Sequence, residues 1–352
     1  MKEYNLRKVR IYTGNDVLEL LLENLIENSY SQVIILVDEN TEKLCLPMLD
    51  KYLFNTKIIK IKSGEQQKTL EIAQFIWNEL MRFNTSKNSV LLNLGGGVIG
   101  DIGGFCAATF KRGLDFINIP TTLLAMIDAS IGGKTGIDFN GVKNTIGIIT
   151  DPKAIYIYPD FLNSLPKEEM INGFAEVIKH ALIVDVDLWE KLKKVDVFES
   201  QKLNSIINDN IKIKIKIVAK DPFEQNERKL LNFGHTIGHA IESYSLKHDQ
   251  KPLKHGEAIA IGMICEAFLS REMIDLSNKE LRSLSEYILR FFPKYSFKSI
   301  LSPDLIGFMY HDKKNIGEEI NFTLLKRIGK GSVNHVCTEH QIARALNYYD
   351  SL

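Results

Sequence analysis

The sequence is poor in the features that mark secreted, membrane and nucleic-acid-binding proteins. Its four cysteines are scattered without a Cys-x-x-Cys pair, which argues against a disulfide framework or a thiolate zinc site and favours a reducing compartment. The amino terminus lacks the apolar core of a signal peptide, and no apolar run approaches the length that spans a bilayer. Basic and acidic residues number 44 each, so no global field draws the chain to nucleic acid or an anionic membrane. We therefore expect a soluble, cytoplasmic protein.

The 352 residues exceed the size at which one core stops growing, so two domains are expected. Residues 1–158 alternate short apolar runs with helical patterns, which is typical of an α/β domain with a parallel sheet. Strands are predicted at 33–38, 56–61, 89–94, 116–119 and 154–158, and helices at 16–26 and 68–83. Residues 159–352 should be mostly helical. Helices are predicted there at 166–184, 227–245, 255–273 and 279–292, followed by a hairpin over 320–336 and a helix after Thr338.

Two histidines, His235 and His239, lie four residues apart where apolar residues recur at helical spacing. This spacing puts both imidazoles on one helix face, one turn apart. Either both bind zinc, or one binds zinc and the other carries a proton. A catalytic zinc site commonly combines two histidines with one carboxylate, and Glu176 and His255 on other predicted helices are suitable partners. Other residues whose chemistry also suits a metal are His180, Glu257 and His248.

A glycine-rich turn at 95–101, Gly-Gly-Gly-Val-Ile-Gly-Asp, follows a predicted strand and opens a predicted helix. Glycines let a backbone approach a pyrophosphate, and a helix amino terminus offers free N–H groups. The turn does not lie on the first strand–helix connection, where the dinucleotide fingerprint belongs, so the match alone is weak. Asp38, at the end of an early strand, is the better candidate for ribose hydroxyls. Alternatively, the glycines only permit tight packing of strand on helix.

A second glycine-rich stretch brings Lys134, Lys143 and Asn144 into what the sequence predicts to be loops. Loop lysines beside glycines suit the capture of phosphate or carboxylate, although a solvated lysine is the simpler alternative. Together with Lys111 and Arg112 they predict a local anion site despite the neutral total charge.

Taken in order, these motifs resemble one family, the 3-dehydroquinate synthases of the sugar phosphate cyclase superfamily. The resemblance runs from about Asp38 to Lys314. It includes the glycine turn, Pro-Thr-Thr-Leu-Leu at 120–124, Ala-Glu-Val-Ile-Lys at 175–179, the two-histidine motif, and His-Gly-Glu-Ala at 255–258. The resemblance implies a Rossmann-like NAD-binding domain, a mostly α-helical metal-binding domain, and an active site in the cleft between them.

The resemblance also implies a role for each matching residue. Glu176, His235 and His255 are implied to bind zinc, which Co²⁺ can replace, and His239 is implied to accept or donate protons. NAD⁺ contacts fall to Asp38, Glu65, Lys68, Gly96, Gly97, Val98, Asp101, Thr121, Thr122, Leu124, Lys134, Lys143, Phe161, Ser164 and Leu165. Substrate contacts fall to Arg112, Lys134, Lys143, Asn144, Lys179, Lys214, Arg228, Asn232 and one of Lys313 or Lys314. Residues implied in catalysis are His239, Asp128, Lys134, Asn144 and Lys179.

The implied activity converts 3-deoxy-D-arabino-heptulosonate 7-phosphate to 3-dehydroquinate and phosphate, a step of aromatic amino-acid biosynthesis. In the family, oxidation by NAD⁺ at C5 precedes phosphate elimination, reduction, ring opening and an intramolecular aldol closure, so NAD⁺ is not consumed. Arg112 resembles a residue that the family donates across a dimer interface to the substrate phosphate. A homodimer is therefore implied.

The segment 211–217, Ile-Lys-Ile-Lys-Ile-Lys-Ile, alternates with period two and locally predicts a half-buried strand. In the family, the lysine that matches Lys214 lies in a helix, fourteen residues before the matching Arg228. We therefore predict a helix over 206–219 against the local pattern, since tertiary context overrides propensity.

Three alternative functions remain. Other sugar phosphate cyclases share the NAD and zinc motifs but need no carboxylate pocket, so Lys214, Arg228 and Asn232 favour the synthase. A metal-dependent NAD alcohol or glycerol dehydrogenase would release NADH and would have little use for the lysines. A binding protein without catalysis would be expected to have lost a zinc ligand, and the sequence retains all three.

Overall fold

The computed structural model describes residues 1–50, 53, 56–140, 142–194, 198, 200–296, 303–310 and 319–352. The strands are β1 (Lys2–Leu6), β2 (Val9–Thr13), β3 (Gln32–Asp38), β4 (Lys57–Ile61), β5 (Ser89–Gly95), β6 (Asp115–Pro120), β7 (Lys134–Phe139), β8 (Val142–Ile149), β9 (Ala154–Ile157), β10 (Asn321–Arg327) and β11 (Lys330–Val336). The helices are α1 (Val17–Glu27), α2 (Glu39–Leu44), α3 (Leu46–Asp50), α4 (Leu70–Arg82), α5 (Gly97–Thr109), α6 (Lys167–Val184), α7 (Val186–Lys194), α8 (Ser200–Lys220), α9 (His235–His248), α10 (His255–Met273), α11 (Asn278–Leu289), α12 (Pro303–Tyr310) and α13 (Glu339–Ser351).

The chain divides into two compact units. Met1–Met170 and Asn210–Ala219 pack as the first unit, and Ile171–Asp209 with Lys220–Leu352 pack as the second. The predicted domain boundary between residues 158 and 159 stays a prediction. In the described part of the chain, no helix combines the length and the apolar composition that crossing a bilayer requires.

The first unit is built on a seven-stranded sheet in the order β1-β2-β9-β6-β5-β3-β4. The strands are parallel except β1, which pairs antiparallel with β2. Every residue of β5 is buried, as expected for a strand in the middle of a sheet that is covered on both faces. The five predicted strands are confirmed as β3, β4, β5, β6 and β9, whereas β1 and β2 were not predicted.

The chain reverses its direction of travel across the sheet at β3. This strand pairs with β4 on one side and β5 on the other, and β6 and β9 follow beyond β5. Ligands of open α/β sheets bind outside the carboxyl ends of the strands at such a switch point. Strand β3 ends at Asp38 and β5 ends at Gly95. The predicted ribose acceptor and the glycine turn therefore lie on either side of the switch point.

The sequence predicted loops around Lys134, Lys143 and Asn144. These residues lie instead on the antiparallel hairpin of β7 and β8. Asn140 turns the chain at φ +50°, a left-handed conformation that asparagine tolerates better than most residues. Most of β8 is exposed on both faces, so the polar and apolar alternation of a half-buried strand is missing from its sequence. The prediction of loops was therefore wrong.

The second unit is mostly helical, and β10 and β11 form the predicted hairpin. The continuous helix predicted over 227–245 is wrong in its first part, because a 3₁₀ turn at Glu227–Asn232 precedes α9. Gly234 separates the two at φ +81°, a conformation that glycine adopts without strain. The helix predicted over 206–219 is confirmed, since α8 runs through this segment without interruption.

Candidate active site

Glycines bring α9 and α10 into close contact. A Cβ atom on Gly262 would lie 1.9 Å from the carbonyl oxygen of Gly234 and 2.7 Å from the backbone nitrogen of Gly238. No side chain fits at these distances, so Gly262 allows the two helices to approach. The glycines of the two-histidine motif contribute as well, because a Cβ atom on Gly234 or Gly238 would lie 3.0 Å from the carbonyl oxygen of Ile259 or Ala258, respectively. Each helix begins with a histidine, His235 in α9 and His255 in α10.

Three histidines converge beside one buried carboxylate. Ring nitrogens of His235, His239 and His255 lie within 4.8 Å of one another. Oε1 of Glu176 lies 3.6 Å from Nε2 of both His235 and His255. Tetrahedral zinc with bonds of about 2.1 Å separates its ligand atoms by about 3.4 Å, so this donor set fits such an ion. The geometry brings together the three residues assigned to zinc, with His239 beside them.

The other residues that the sequence offered as ligands have different surroundings. Glu257 caps α10 by accepting the Lys254 N–H at 2.7 Å. His248 ends α9, thirteen residues and therefore about 20 Å along the axis from His235. His180 is buried on α6, one turn beyond Glu176. Lys179 is also buried and forms an ion pair with Glu176, so its ammonium offsets the charge of that carboxylate.

Second partners orient the histidine rings. Nδ1 of His235 lies 3.2 Å from the carbonyl oxygen of Phe233, and Nδ1 of His255 lies 3.5 Å from Oε2 of Glu242. An imidazole that donates from Nδ1 keeps the Nε2 lone pair for a metal. Burial lowers the pKa of His255, but Glu176 and Glu242 outweigh burial and raise that pKa to about 9. Sequence reasoning missed the role of Glu242. Its position seven residues after His235 puts it two turns along the same face of a helix, and this spacing could have indicated a role near the histidines.

Asp221 organises the turn that presents Arg228. Its carboxylate accepts the backbone N–H groups of Gln225 at 3.0 Å, Asn226 at 2.6 Å and Arg228 at 3.0 Å. Burial raises the pKa of Asp221, but these three hydrogen bonds outweigh it and hold the pKa below its ordinary value. The backbone of the turn is therefore fixed by one carboxylate.

Two of the three side chains that suit a carboxylate pocket, Arg228 and Asn232, contact this turn. Arg228 is buried, and its Nη1 donates to the carbonyl oxygen of Pro222 at 2.6 Å. Asn232 donates from Nδ2 to Oε1 of Glu224 at 2.7 Å. The sequence predicted a continuous α-helix here, but both residues lie on the 3₁₀ turn.

In the first unit, the glycines of α5 serve two different purposes. A Cβ atom on Gly103 would lie 2.1 Å from Oδ1 of Asn93, so Gly103 permits tight packing of helix on strand. On Gly97 it would make an ordinary contact at 3.5 Å, and on Gly100 it would meet nothing within 4 Å. Both line a cleft at the amino terminus of α5. Packing does not explain these two glycines, and the cradle fits the pyrophosphate of a dinucleotide.

Residues assigned to NAD⁺ surround the carboxyl ends of β3, β5 and β6. Asp38 caps α2 through Oδ1, which accepts the N–H groups of Asn40 and Thr41 at 2.8 Å each. The backbone N–H of Thr121 donates to the carbonyl oxygen of Gly95 at 3.0 Å. Other positions assigned to NAD⁺ are Gly96 and Val98 on the turn, Thr122 and Leu124 after β6, and Phe161, Ser164 and Leu165 in or beside a 3₁₀ turn after β9.

Lys68 is the centre of a polar cluster in the first unit. Its buried Nζ lies 2.8 Å from Oδ2 of Asp101 and 3.7 Å from Oε1 of Glu65, and it binds the side-chain oxygen of Asn144. Lys143 lies 3.7 Å from the same Glu65 oxygen. Burial lowers the pKa of Lys68, but the two carboxylates outweigh burial and raise it. Residues assigned to NAD⁺ and residues assigned to the substrate thus share one cluster.

Another buried ion pair of the first unit joins Lys214 to Asp128. Asp128 lies in a π-helical turn, Ala125–Ala129, a rare conformation that is frequent at functional sites. Arg112 is exposed and follows Lys111 with both residues at positive φ, +66° and +48°. Lys134 is also exposed. Lys313 and Lys314 lie outside the described residues.

Comparison with known proteins gives one family for both parts of the chain. The models for the 3-dehydroquinate synthase N-terminal and C-terminal regions match residues 58–172 and 173–315. The 3-dehydroquinate synthase of Parabacteroides distasonis is 40% identical over 344 residues, 97% of each chain.

Two solved structures share the fold. A 2-deoxy-scyllo-inosose synthase complexed with carbaglucose-6-phosphate, NAD⁺ and Co²⁺ has a TM-score of 0.86 at 22% identity and covers 99% of this chain and 100% of its own. The 2-epi-5-epi-valiolone synthase of Streptomyces hygroscopicus with NAD⁺ and Zn²⁺ has a TM-score of 0.85 at 24% identity, covering 100% of this chain and 98% of its own. From the family models and the curated relative, the chain belongs to the 3-dehydroquinate synthase family.

Proposed function

We propose that this protein is the lyase that converts 3-deoxy-D-arabino-heptulosonate 7-phosphate to 3-dehydroquinate and inorganic phosphate. Its 40% identity to a 3-dehydroquinate synthase over 97% of both chains carries the proposal. The four buried free cysteines support a cytoplasmic location, where thiols stay reduced.

The cofactors are NAD⁺, held at the switch point of the sheet, and a divalent metal held by Glu176, His235 and His255. Bound NAD⁺ supplies a reversible hydride acceptor, and Zn²⁺ or Co²⁺ supplies a Lewis acid for the C5 hydroxyl. The convergence of the three metal residues supports this assignment, as do the NAD⁺ and metal ions of the two cyclases that share the fold. His239, one turn beyond His235, accepts or relays the hydroxyl proton.

The substrate is held at its two charged ends. Arg228 offers a planar fork to the carboxylate, which suits two parallel hydrogen bonds, and Asn232 adds an amide. Lys134, Asn144 and Arg112 bind the phosphate, while Lys143, Lys179 and Lys214 complete the positive surroundings of the substrate. A cyclase for an uncharged sugar end would not need Arg228 as a buried cation, which favours the heptulosonate over other sugar phosphates.

One assay tests the proposal. Purified protein receives the heptulosonate phosphate, Zn²⁺ or Co²⁺, and NAD⁺ in catalytic amount, while inorganic phosphate and dehydroquinate are followed. Equal release of both products without net NADH is expected. NADH accumulation in step with substrate loss, without phosphate release, would instead identify an alcohol dehydrogenase.

A matched pair of variants separates the roles of the two histidines. His235→Ala should lose the metal, because it removes a ligand that Glu176 and His255 alone cannot replace. His239→Ala should retain the metal and lose turnover. Metal content is measured by atomic absorption after dialysis. Equal loss of metal in both variants would contradict this division of labour.

We also propose a homodimer in which Arg112 reaches the partner's substrate phosphate. The hairpin of β7 and β8 exposes four large apolar side chains, Phe139, Val142, Ile148 and Ile149, each at least 40% exposed, and burial of such side chains favours association. The left-handed backbone at Lys111 and Arg112 costs about 1–2 kcal/mol per residue, and such strain is common where a side chain has a functional role.

Subunit mixing tests the shared site. Arg112→Ala and His239→Ala should each be inactive alone. If Arg112 acts across the interface, a mixed dimer has one site with both residues intact, so equal mixing restores about a quarter of wild-type activity. Mixtures that stay inactive after verified subunit exchange would place Arg112 in its own subunit's site.

A further inference from the structure

The helices α9 and α10 hold each other's histidines in a reciprocal arrangement. Glu242 lies on α9, and its carboxylate approaches Nδ1 of His255, the first residue of α10, at 3.5 Å. Glu266 lies on α10 and contacts the start of α9, which begins with His235. Each helix therefore supplies one metal ligand and one carboxylate directed at the beginning of the other helix.

Glu266 holds the backbone on both sides of His235. Its Oε2 accepts the N–H of Gly234 at 2.6 Å, and its Oε1 accepts the N–H groups of Thr236 at 3.0 Å and Ile237 at 3.1 Å. Glu266 is fully buried. A buried carboxylate is stable there because the amino terminus of a helix offers unpaired N–H groups and a positive dipole end. The position of His235 is thus fixed by a charge on the neighbouring helix.

Glu266 itself is remote from His255, the metal ligand of its own helix. It lies eleven residues after His255 on α10, about 16 Å along the helix axis. Its effect on a metal must therefore pass through the backbone of His235, whose ring is further held by the carbonyl oxygen of Phe233 at 3.2 Å. A neutral amide at this position would accept fewer of these hydrogen bonds, because both carboxylate oxygens accept N–H groups.

We propose that Glu266 and Glu242 are positioning residues of the metal centre, Glu266 for His235 and Glu242 for His255. The proposal rests on the metal site of the proposed function. Glu266 sets where the Nε2 of His235 stands relative to Glu176, and Glu242 sets which ring nitrogen of His255 carries the proton. Together they hold the two imidazoles in place before a metal arrives.

The variant Glu266→Gln tests the first half. Its amide has only one acceptor oxygen, and its NH₂ group would face an N–H donor, so the start of α9 must shift. We expect the Zn²⁺ dissociation constant, measured with the metal alone by chelator competition, to rise about 10- to 100-fold. The visible spectrum of the Co²⁺ form, which reports the geometry around the metal, should change in shape. Urea unfolding of the metal-free protein measures the purely structural cost separately.

Glu272→Gln is the matched control, because it makes the same chemical change on the same helix. Glu272 is largely buried and pairs with Arg344 at 2.5 Å and Arg271 at 3.1 Å. This variant should lose stability but keep the wild-type dissociation constant for Zn²⁺. A Glu266→Gln protein that is less stable yet binds Zn²⁺ as the wild type does would overturn the proposal, as would equal metal loss in the control.

Glu242→Gln tests the second half and remains decisive if Glu266→Gln does not fold. We expect Zn²⁺ affinity to fall about 10-fold, and unchanged affinity would overturn the reciprocal arrangement. None of these measurements uses substrate or NAD⁺. A wild-type protein that binds Zn²⁺ but does not form dehydroquinate would refute the proposed activity while leaving this inference intact.

Discussion

Replacing Lys68 by methionine should destabilise the first unit more than any other single change in its polar cluster. Lys68 is 3% exposed, and its ammonium stands 2.8 Å from Asp101 and also binds Asn144. Methionine preserves most of the side-chain volume but removes the charge. The carboxylate of Asp101, about one fifth exposed, would then lack this cation.

The size of the effect follows from the unpaired charge. Removing one partner of a buried ion pair lowers the free energy of unfolding by about 3–5 kcal/mol. Because Asp101 is partly exposed, we expect a loss near the lower end, about 3 kcal/mol. Adding Asp101→Asn removes the uncompensated charge, so the double variant should be only about 1–2 kcal/mol less stable than the wild type. The double variant therefore loses about 1–2 kcal/mol less than Lys68→Met alone, so the two substitutions should be coupled by at least about 1 kcal/mol.

Urea unfolding measures this coupling if the signal comes from the first unit alone. The chain has two tryptophans, and Trp77 packs beside Phe105 in the first unit. All variants are therefore made in a Trp189→Phe background, where Trp77 is the only tryptophan. Costs that add within about 0.5 kcal/mol would refute the reasoning, because independent sites behave in that way.

The same pair predicts a pH dependence with a definite sign. The pKa of Lys68 is raised in the folded protein above its ordinary value of 10.5. A raised amine pKa contributes stability that is complete below the unfolded value and is lost only as the pH rises through the folded value. The cost of Lys68→Met should therefore be equal at about pH 7 and about pH 9, since both lie below that window.

Three other changes separate structural from ligand-binding roles. Asp221→Asn should cost about 1–3 kcal/mol near pH 7 and raise the substrate KM through Arg228. Because the pKa of Asp221 is lowered, this stability difference in urea unfolding should vanish as the pH falls below about 4. Gly262→Ala should destabilise by about 2 kcal/mol or more, since its Cβ would lie 1.9 Å from the Gly234 carbonyl oxygen. Gly100→Ala meets no such contact, so it should keep wild-type stability in the same assay yet weaken NAD⁺ binding measured by calorimetry. Unchanged NAD⁺ affinity in that variant would contradict the proposed cradle.

Local pattern predicted the elements whose burial is simple. The parallel strands β3, β5 and β6 are apolar runs because both faces are covered, and α10 is bounded as predicted. The hairpin of β7 and β8 could not be read in this way, because β8 is exposed and its apolar residues follow no burial pattern. Exposed strands of this kind are specified by turn geometry and by partners more than by periodicity.

The candidate site shows a similar division. Histidine spacing and the resemblance identified residues that would touch a metal, and the structure brings His235, His255 and Glu176 together. The residues that hold them were missed. Glu266 stands in the apolar run of α10, and a lone carboxylate in such a run indicates a buried, satisfied charge without naming its partner. Its partners, the N–H groups at the start of α9, follow only from the packing of two helices.

The segment 211–217 shows how one pattern gives opposite assignments under two geometries. As a strand, its period of two would put Lys212, Lys214 and Lys216 on one solvated face. In the helix α8, a rotation of about 100° per residue keeps Lys212 and Lys216 together and turns Lys214 to the opposite side. Lys212 and Lys216 are exposed, whereas Lys214 is 6% exposed and paired with Asp128. The helix therefore singles out one lysine of three for a buried role, which the alternating sequence by itself could not do.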